Sequence, residues 1–144
     1  MNKKALLSIL TLIISIGAKA DLDKAIAYAK AGEKDKAYEE LLFIVEQADQ
    51  GHPTALYEFG VMYKTEGLWV VQSEESAFKN WLASAELGYA PAQFAVGAAY
   101  IIGSGIEKDL SEAKRWLQLA IDSTYEKYSR SAKVLYAAHE LDNH

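Results

Sequence analysis

GHPTALYEFGVMY, residues 51–63, is followed 37 positions later by GYAPAQFAVGAAY, residues 88–100. Glycine, alanine, glycine and tyrosine recur at the same places, at Gly51, Ala55, Gly60 and Tyr63 in the first copy. A period of this length is typical of stacked helical hairpins, in which each unit buries its apolar face only against its neighbours. The repeat therefore predicts an all-α stack of antiparallel helix pairs, with a long surface left free for a partner.

The second half of the repeated unit recurs at a shorter distance. Trp81 and Ala85 are followed 35 residues later by Trp116 and Ala120. Because the distance falls from 37 to 35 between the two halves, we expect the first repeat to carry two extra residues in its internal loop.

Glycine, proline and one acid mark the ends of the expected helices. Gly51 and Gly88 each stand where one helix would end, with a proline two or three positions later to begin the next. In the second repeat two glycines form a turn, and Asp109 follows as the expected N-cap of the next helix. That helix is expected to bury Ala113, Trp116, Leu117 and Ala120.

This order of residues resembles the Sel-one-like repeat family. Residues 88–121 contain an Ala-Gly-Tyr helix, then Gly-x-Gly-Ile-x-x-Asp, then Ala-x-x-Trp-x-x-x-Ala. Residues 51–87 match less fully, because Glu74 stands in the place of Asp109 and the Gly-x-Gly turn is replaced. The resemblance implies a right-handed α/α superhelix, related to tetratricopeptide repeats, that acts as an adaptor in protein complexes.

The chain divides into five predicted segments. Residues 51–87 and 88–122 are the two repeats, and residues 21–50 form an N-terminal part-repeat with a short helix from Leu22 to Ala31. Residues 124–144 are expected to form a capping helix. Residues 1–20 are interpreted as an export signal, because lysines precede an apolar run and small residues at Ala18 and Ala20 fit a cleavage site.

Export and composition limit the classes of function. Cleavage after Ala20 would release the chain into the periplasm of a Gram-negative bacterium, without a stable membrane anchor, since no later segment is continuously apolar. The chain contains no cysteine and has a net charge of −5, and the signal holds three of its lysines and no acid. This balance disfavours nucleic acid as a partner and would attract a basic protein surface, although acidity also serves solubility.

No pattern in the sequence indicates catalysis or a cofactor. The three histidines lack metal-binding spacing, and no phosphate-binding loop follows a strand. Carboxylate pairs occur at residues 39–40 and 74–75. The two members of each pair are neighbours on the same helix, so their side chains point in different directions and do not converge as acid–base catalysis requires. We therefore predict a protein that is not an enzyme and binds no metal or cofactor.

Leu68, Trp69 and Val70 have no counterpart in the second repeat, whereas Val71 aligns with Ile106 and is expected to plug the hairpin. Two interpretations of the unmatched residues remain open. In one, the preceding helix extends and Trp69 folds back over the next repeat. In the other, Trp69 is an exposed anchor for a partner.

The outward face of each repeat's first helix is the other candidate for partner binding. This face is poor in charge and, in the resembled architecture, lines a concave groove that suits a helix or loop of another protein. The alternative is that the short array curls and packs these residues on its termini. The residues of this predicted groove are Glu58, Val61, Met62, Thr65, Ala95, Ala98, Ala99 and Ile102.

The expected partner is therefore another protein. Small exported members of the resembled family include immunity proteins that neutralise toxins delivered to the periplasm, for example by type VI secretion. An adaptor for envelope assembly would share the same size, signal and acidity. A cell-wall hydrolase is a third alternative, and it would need a pocket with paired carboxylates.

Overall fold

The computed structural model describes residues 22–66 and 71–141. Between Gln72 and Ser73 the chain divides into two compact units. The first unit contains α1 (residues 22–31), α2 (Lys34–Asp49) and α3 (Pro53–Met62). The second contains α4 (Glu74–Glu86), α5 (Ala90–Ile102), α6 (Leu110–Ile121) and α7 (Glu126–Ala138). The described residues contain helices and no strand, so the predicted all-α repeat fold is confirmed.

The joints between helices form as the glycines predict. The Gly51 amide donates to the Ala48 carbonyl at 2.9 Å, and the next amide donates to the Gln47 carbonyl at 3.2 Å. Gly88 closes α4 in the same way, through the Ala85 carbonyl at 2.9 Å. This pair of hydrogen bonds satisfies carbonyls at a helix end and turns the chain into the following helix.

The core of the first unit lies where α1, α2 and α3 meet. It consists of Leu22, Ala25, Leu41, Ile44 and Met62, each no more than 5% exposed. Because residues 22–31 form a helix that packs on α2, the predicted short first helix of the part-repeat is confirmed.

The second unit is built around the crossing of α5 and α6. A Cβ atom added at Gly97 would lie 2.7 Å from the Leu117 side chain, so only glycine permits the observed approach of the two helices. The four residues expected on the inner face of α6 are all buried, which confirms the predicted orientation of that helix.

An equivalent hydrogen bond between consecutive repeats occurs at two places in the second unit. The Gln93 side chain donates to the Ala85 carbonyl, and the Ser129 hydroxyl donates to the Ile121 carbonyl, each bond spanning eight residues. The two joints are 36 residues apart, and Tyr136 likewise follows Tyr100 by 36. Helix α7 therefore takes the position of the first helix of a further repeat.

The helix caps correct the expected register of the first repeat. Ser73 caps α4 by accepting a hydrogen bond from the Ser76 amide at 3.1 Å, whereas Asp109 caps α6 by accepting from two amides at 2.9 and 3.0 Å. The expectation that Glu74 stands in the place of Asp109 is therefore wrong. The two caps are 36 residues apart, so only one of the two extra residues of the first repeat lies before the cap. The other lies within α4, which has 13 residues, whereas α6 has 12.

The same register explains why Val71 does not plug the hairpin. Val71 is 86% exposed, whereas Ile106 is half-buried. Counting 36 residues back from Ile106, as the caps require, gives position 70, which lies outside the described residues. The expected role of Val71 in plugging the hairpin is therefore wrong.

The loop after α5 is held against the start of α4 by Gly105. Its φ is 73°, and a Cβ atom at this position would lie 2.1 Å from the Glu74 carbonyl oxygen. Gly103 has a similar φ of 75°, but the nearest atom to its Cβ position is 3.6 Å away. The two glycines therefore share a backbone conformation, and only Gly105 lacks space for a side chain.

Gly105→Ala should destabilise the second unit more than Gly103→Ala. Both changes carry the left-handed penalty, about 1–2 kcal/mol, and the first also pushes the loop away from α4, at about 1–3 kcal/mol more. Urea unfolding of the two variants measures this difference. Equal losses would mean that the loop does not contact α4 as described.

Trp116→Ala should lower the free energy of unfolding by about 3–5 kcal/mol, because the indole is 4% exposed and fills the core. Leu119→Ala on the same helix is the control, since Leu119 is 42% exposed and its loss should cost less than about 1 kcal/mol. Thermal unfolding followed by circular dichroism separates the two. Similar melting temperatures would contradict the assigned face of α6.

Candidate partner-binding surface

The part of the predicted groove that lies on α3 is largely closed. Glu58 is 3% exposed and Met62 is 1% exposed, so the expectation of an open groove is wrong at these two positions. Met62 lies in the core with Leu22 of α1, and Val61 packs on the same cluster. Thr65 is half-buried, and its hydroxyl donates to the Val61 carbonyl at 2.9 Å. For Val61 and Met62, the alternative of packing on the N-terminal part of the chain is the one observed.

The part that lies on α5 is accessible except at Ala99, which is 3% exposed, so the expectation of an open groove is wrong at that position. Ala95 and Ala98 are half-buried, and Ile102 is 74% exposed. These three positions lie on the side of α5 opposite Gly97, which faces α6. Helix α5 contains no charged residue along its whole length. The expectation of an accessible face poor in charge therefore holds for Ala95, Ala98 and Ile102, and the role of this face in partner binding stays a prediction.

Leu68, Trp69 and Val70 lie outside the described residues. Both interpretations of Trp69, as an exposed anchor or as a side chain folded over the next repeat, stay predictions.

Sequence reasoning missed the contribution of α7, because this helix was interpreted only as a cap. Helices α5 and α7 pack side by side, with the Phe94 and Tyr128 ring centroids 6.1 Å apart. The recurrence of tyrosine at Tyr63, Tyr100 and Tyr136 is the signal that reveals α7 as a first helix. The 36-residue offset then makes Val134 the counterpart of Ala98.

The equivalent positions on the two helices form one accessible face, which we call the uncharged strip. Val134 is 67% exposed, Ser131 is half-buried and Ala138 is exposed. The strip consists of Ala95, Ala98, Ile102, Ser131, Val134 and Ala138. Two large aliphatic side chains thus stand in solvent among small residues, an arrangement that suits burial against another molecule.

The clear pKa shifts among the described residues give no sign of acid–base catalysis. Burial raises the pKa of the Tyr100 phenol, and the nearby Glu112 and Asp109 carboxylates raise it further, so this side chain stays neutral. A hydrogen bond from Arg115 to Glu112 raises the pKa of the guanidinium, and a bond from Lys36 to Glu33 raises that of the ammonium. Each of these shifts stabilises the charge state that the group already has at neutral pH, which is neutral for the tyrosine and positive for the arginine and the lysine.

Residues 22–66 and 71–141 contain neither the side-chain cluster of a metal site nor a helix that could cross a membrane. No group of three or more histidine, aspartate or glutamate side chains is arranged to hold a metal ion. Within the same ranges, no helix combines the length and the apolar character that crossing a membrane requires.

The sequence profile of the Sel1 repeat matches residues 14–32, 53–89 and 90–125. These segments make up more than half of the chain, so the protein belongs to the Sel1 repeat family, and the resemblance seen in its residues is confirmed. Sel1 repeat proteins are protein-interaction modules and are generally not enzymes.

Solved structures show the same fold. The crystal structure of c5321, a protective antigen present in uropathogenic Escherichia coli strains, superposes with a TM-score of 0.68 at 20% identity, over 85% of this chain and 26% of that one. A Sel1 repeat protein from Oxalobacter formigenes gives a TM-score of 0.58 at 31% identity, over 77% of this chain and 43% of that one. The chain therefore spans less than half the length of either protein. No curated protein sequence matches it.

Val134→Lys should leave the free energy of unfolding within about 0.5 kcal/mol of the parent, because the side chain is exposed. Met62→Lys should destabilise the protein by more than about 3 kcal/mol, since it buries an unpaired charge in the core. Chemical denaturation compares the two variants. Tolerance of lysine at Met62 would restore that residue to the accessible surface.

Proposed function

We propose that this protein binds one partner protein through the uncharged strip and carries out no reaction itself. The observation that supports this most directly is the exposure of Ile102 and Val134 on equivalent faces of adjacent helices. Covering apolar surface stabilises a complex by about 25 cal/mol per Å² before the costs of association are subtracted. Membership of a family of interaction modules supports the same proposal.

The absence of chemistry is part of the proposal. The described carboxylates that interact with arginine lie on exposed helix faces, as Glu112 with Arg115 and Glu126 with Arg130. A hydrolase would instead need groups that converge in a desolvated cleft.

The proposal also places the protein in the periplasm of a Gram-negative bacterium. It rests on the apolar run at residues 5–16 and on the small residues at Ala18 and Ala20. The family match begins at residue 14, within the predicted signal, so cleavage after Ala20 would separate part of the matched segment from the rest. N-terminal sequencing of the protein purified from whole cells checks the site, and an intact Met1 would contradict cleavage of the predicted signal.

The biological role within this proposal is that of an immunity protein, which neutralises a toxin delivered to the periplasm. The export signal and the accessible strip on α5 and α7 are consistent with one tightly bound partner. An adaptor for envelope assembly is the alternative, and it would contact several components more weakly.

Val134→Arg should weaken binding of the partner by at least about tenfold, because a guanidinium would replace apolar contact at the centre of the strip. Leu119→Arg is the matched control, since Leu119 is exposed on α6 outside the strip. Co-purification of a stoichiometric partner, followed by calorimetric titration with the two variants, provides the measurement. Equal affinities for both variants would remove the strip from the interface.

Deletion of the gene distinguishes the two roles. Loss of an immunity protein should be lethal only in cells that meet the toxin, whereas loss of an adaptor should weaken the envelope regardless of any toxin. Trp69→Ala distinguishes the two interpretations of Trp69. If Trp69 is an exposed anchor, the variant protein should bind the partner more weakly and keep the melting temperature of the parent.

A further inference from the structure

One end of the uncharged strip carries a positive charge. Lys127 lies four residues before Ser131 and seven before Val134, so its side chain is on the same face of α7. It is exposed, and its ammonium group lies 5.5 Å from the centroid of the Tyr128 ring. The strip thus combines apolar contact with one cation at the start of a helix.

The described surroundings of Lys127 leave that charge uncompensated. Glu126, the adjacent residue, forms an ion pair with Arg130 at 2.6 Å. Helix α5, which packs beside α7, contributes no carboxylate. Amides at the N-terminus of α7 add partial positive charge, because Tyr125 provides no side-chain cap.

The charge that this surface prefers in a partner depends more on the nearby side chains than on the net charge of the chain. Exposed charges are screened over about 8–10 Å at physiological salt. A partner in contact with the strip therefore meets Lys127 first, and the excess of acids elsewhere on the chain has less influence.

The shape of the strip favours a helix as the occupant. Ala95, Ala98, Ser131 and Ala138 are small, so the backbone of a second helix can approach closely between Ile102 and Val134. The same device operates inside the protein, where Gly97 lets α6 approach α5.

We propose that the strip receives a helix of the partner protein that presents aliphatic side chains to Ile102 and Val134 and an aspartate or glutamate side chain to Lys127. This inference rests on the proposed function and adds the sign of the partner's charge, which is opposite to what the net charge of the chain suggests. Because Lys127 and Val134 are seven residues apart, or about 10 Å along the helix, the acid should lie about two turns from the aliphatic residue.

Selection from random 16-residue peptides displayed on phage, with the purified protein as bait, tests the proposal. Peptides whose binding is lost with Val134→Arg bait should be enriched in an acid six to eight positions from leucine, isoleucine or valine. Lys127→Glu bait should remove that enrichment and weaken the selected peptides by about 3- to 10-fold. Glutamate suits the first turn of a helix, so this variant should fold.

Lys133→Glu is the matched control, because Lys133 is exposed on the same helix and lies away from the strip. It carries the same change of charge and should leave the enrichment and the affinity unchanged. Equal losses with both lysine variants would indicate a long-range charge effect and overturn the proposal.

The remaining outcomes distinguish failure of the acidic-helix proposal from failure of the proposed binding function. Peptides that depend on Val134 but are neutral or basic would overturn the acidic partner and leave the binding function standing. Failure to select any peptide that depends on Val134 would count against both, as would selected peptides that bind Lys127→Glu bait and Val134→Arg bait as tightly as they bind the parent protein.

Discussion

The close approach of α5 and α6 at Gly97 is the constraint on which the second unit depends. With no side chain at this position, Leu117 packs directly against the α5 backbone, and the opposite side of α5 is left to face solvent. That side carries Ala95, Ala98 and Ile102, so the packing that builds the core also defines the accessible strip. A larger residue at position 97 would force the helices apart, because interior side chains are packed too densely to absorb an added methyl group freely.

The position equivalent to Gly97 is occupied differently in α7. Helix α7 has the register of another first helix, but Lys133 stands where Gly97 stands in α5. A second helix packed on α7 as α6 packs on α5 would meet a long charged side chain. Helix α7 therefore closes the core with Ala132 and leaves Val134 in solvent. Helix α7 thus contributes one face to the core and another to the accessible strip.

Charge and apolar character act at different scales in this protein. The chain as a whole is acidic, which favours solubility and would steer basic molecules from a distance. At the strip, a helix without charge and a lysine at the start of α7 set a different local preference. Since screening limits long-range forces to about 10 Å, contact specificity would be set by the side chains that touch the partner, while net charge influences the encounter.

The helical hairpins, their glycine joints, the Asp109 cap and the buried face of α6 could all be predicted from the residues, because each follows from local backbone preferences and a 3.6-residue period. The register of the first repeat and the identity of the accessible surface depend on tertiary packing and could not be predicted in this way. Ser73, rather than Glu74, caps α4, and the local sequence does not choose between two neighbouring residues that can each begin a helix. Likewise, Met62 and Ile102 both lie on outward helical faces by periodicity, yet Met62 is covered by α1 and Ile102 is not. A period reports which side of a helix is apolar, whereas burial depends on which other element reaches that side.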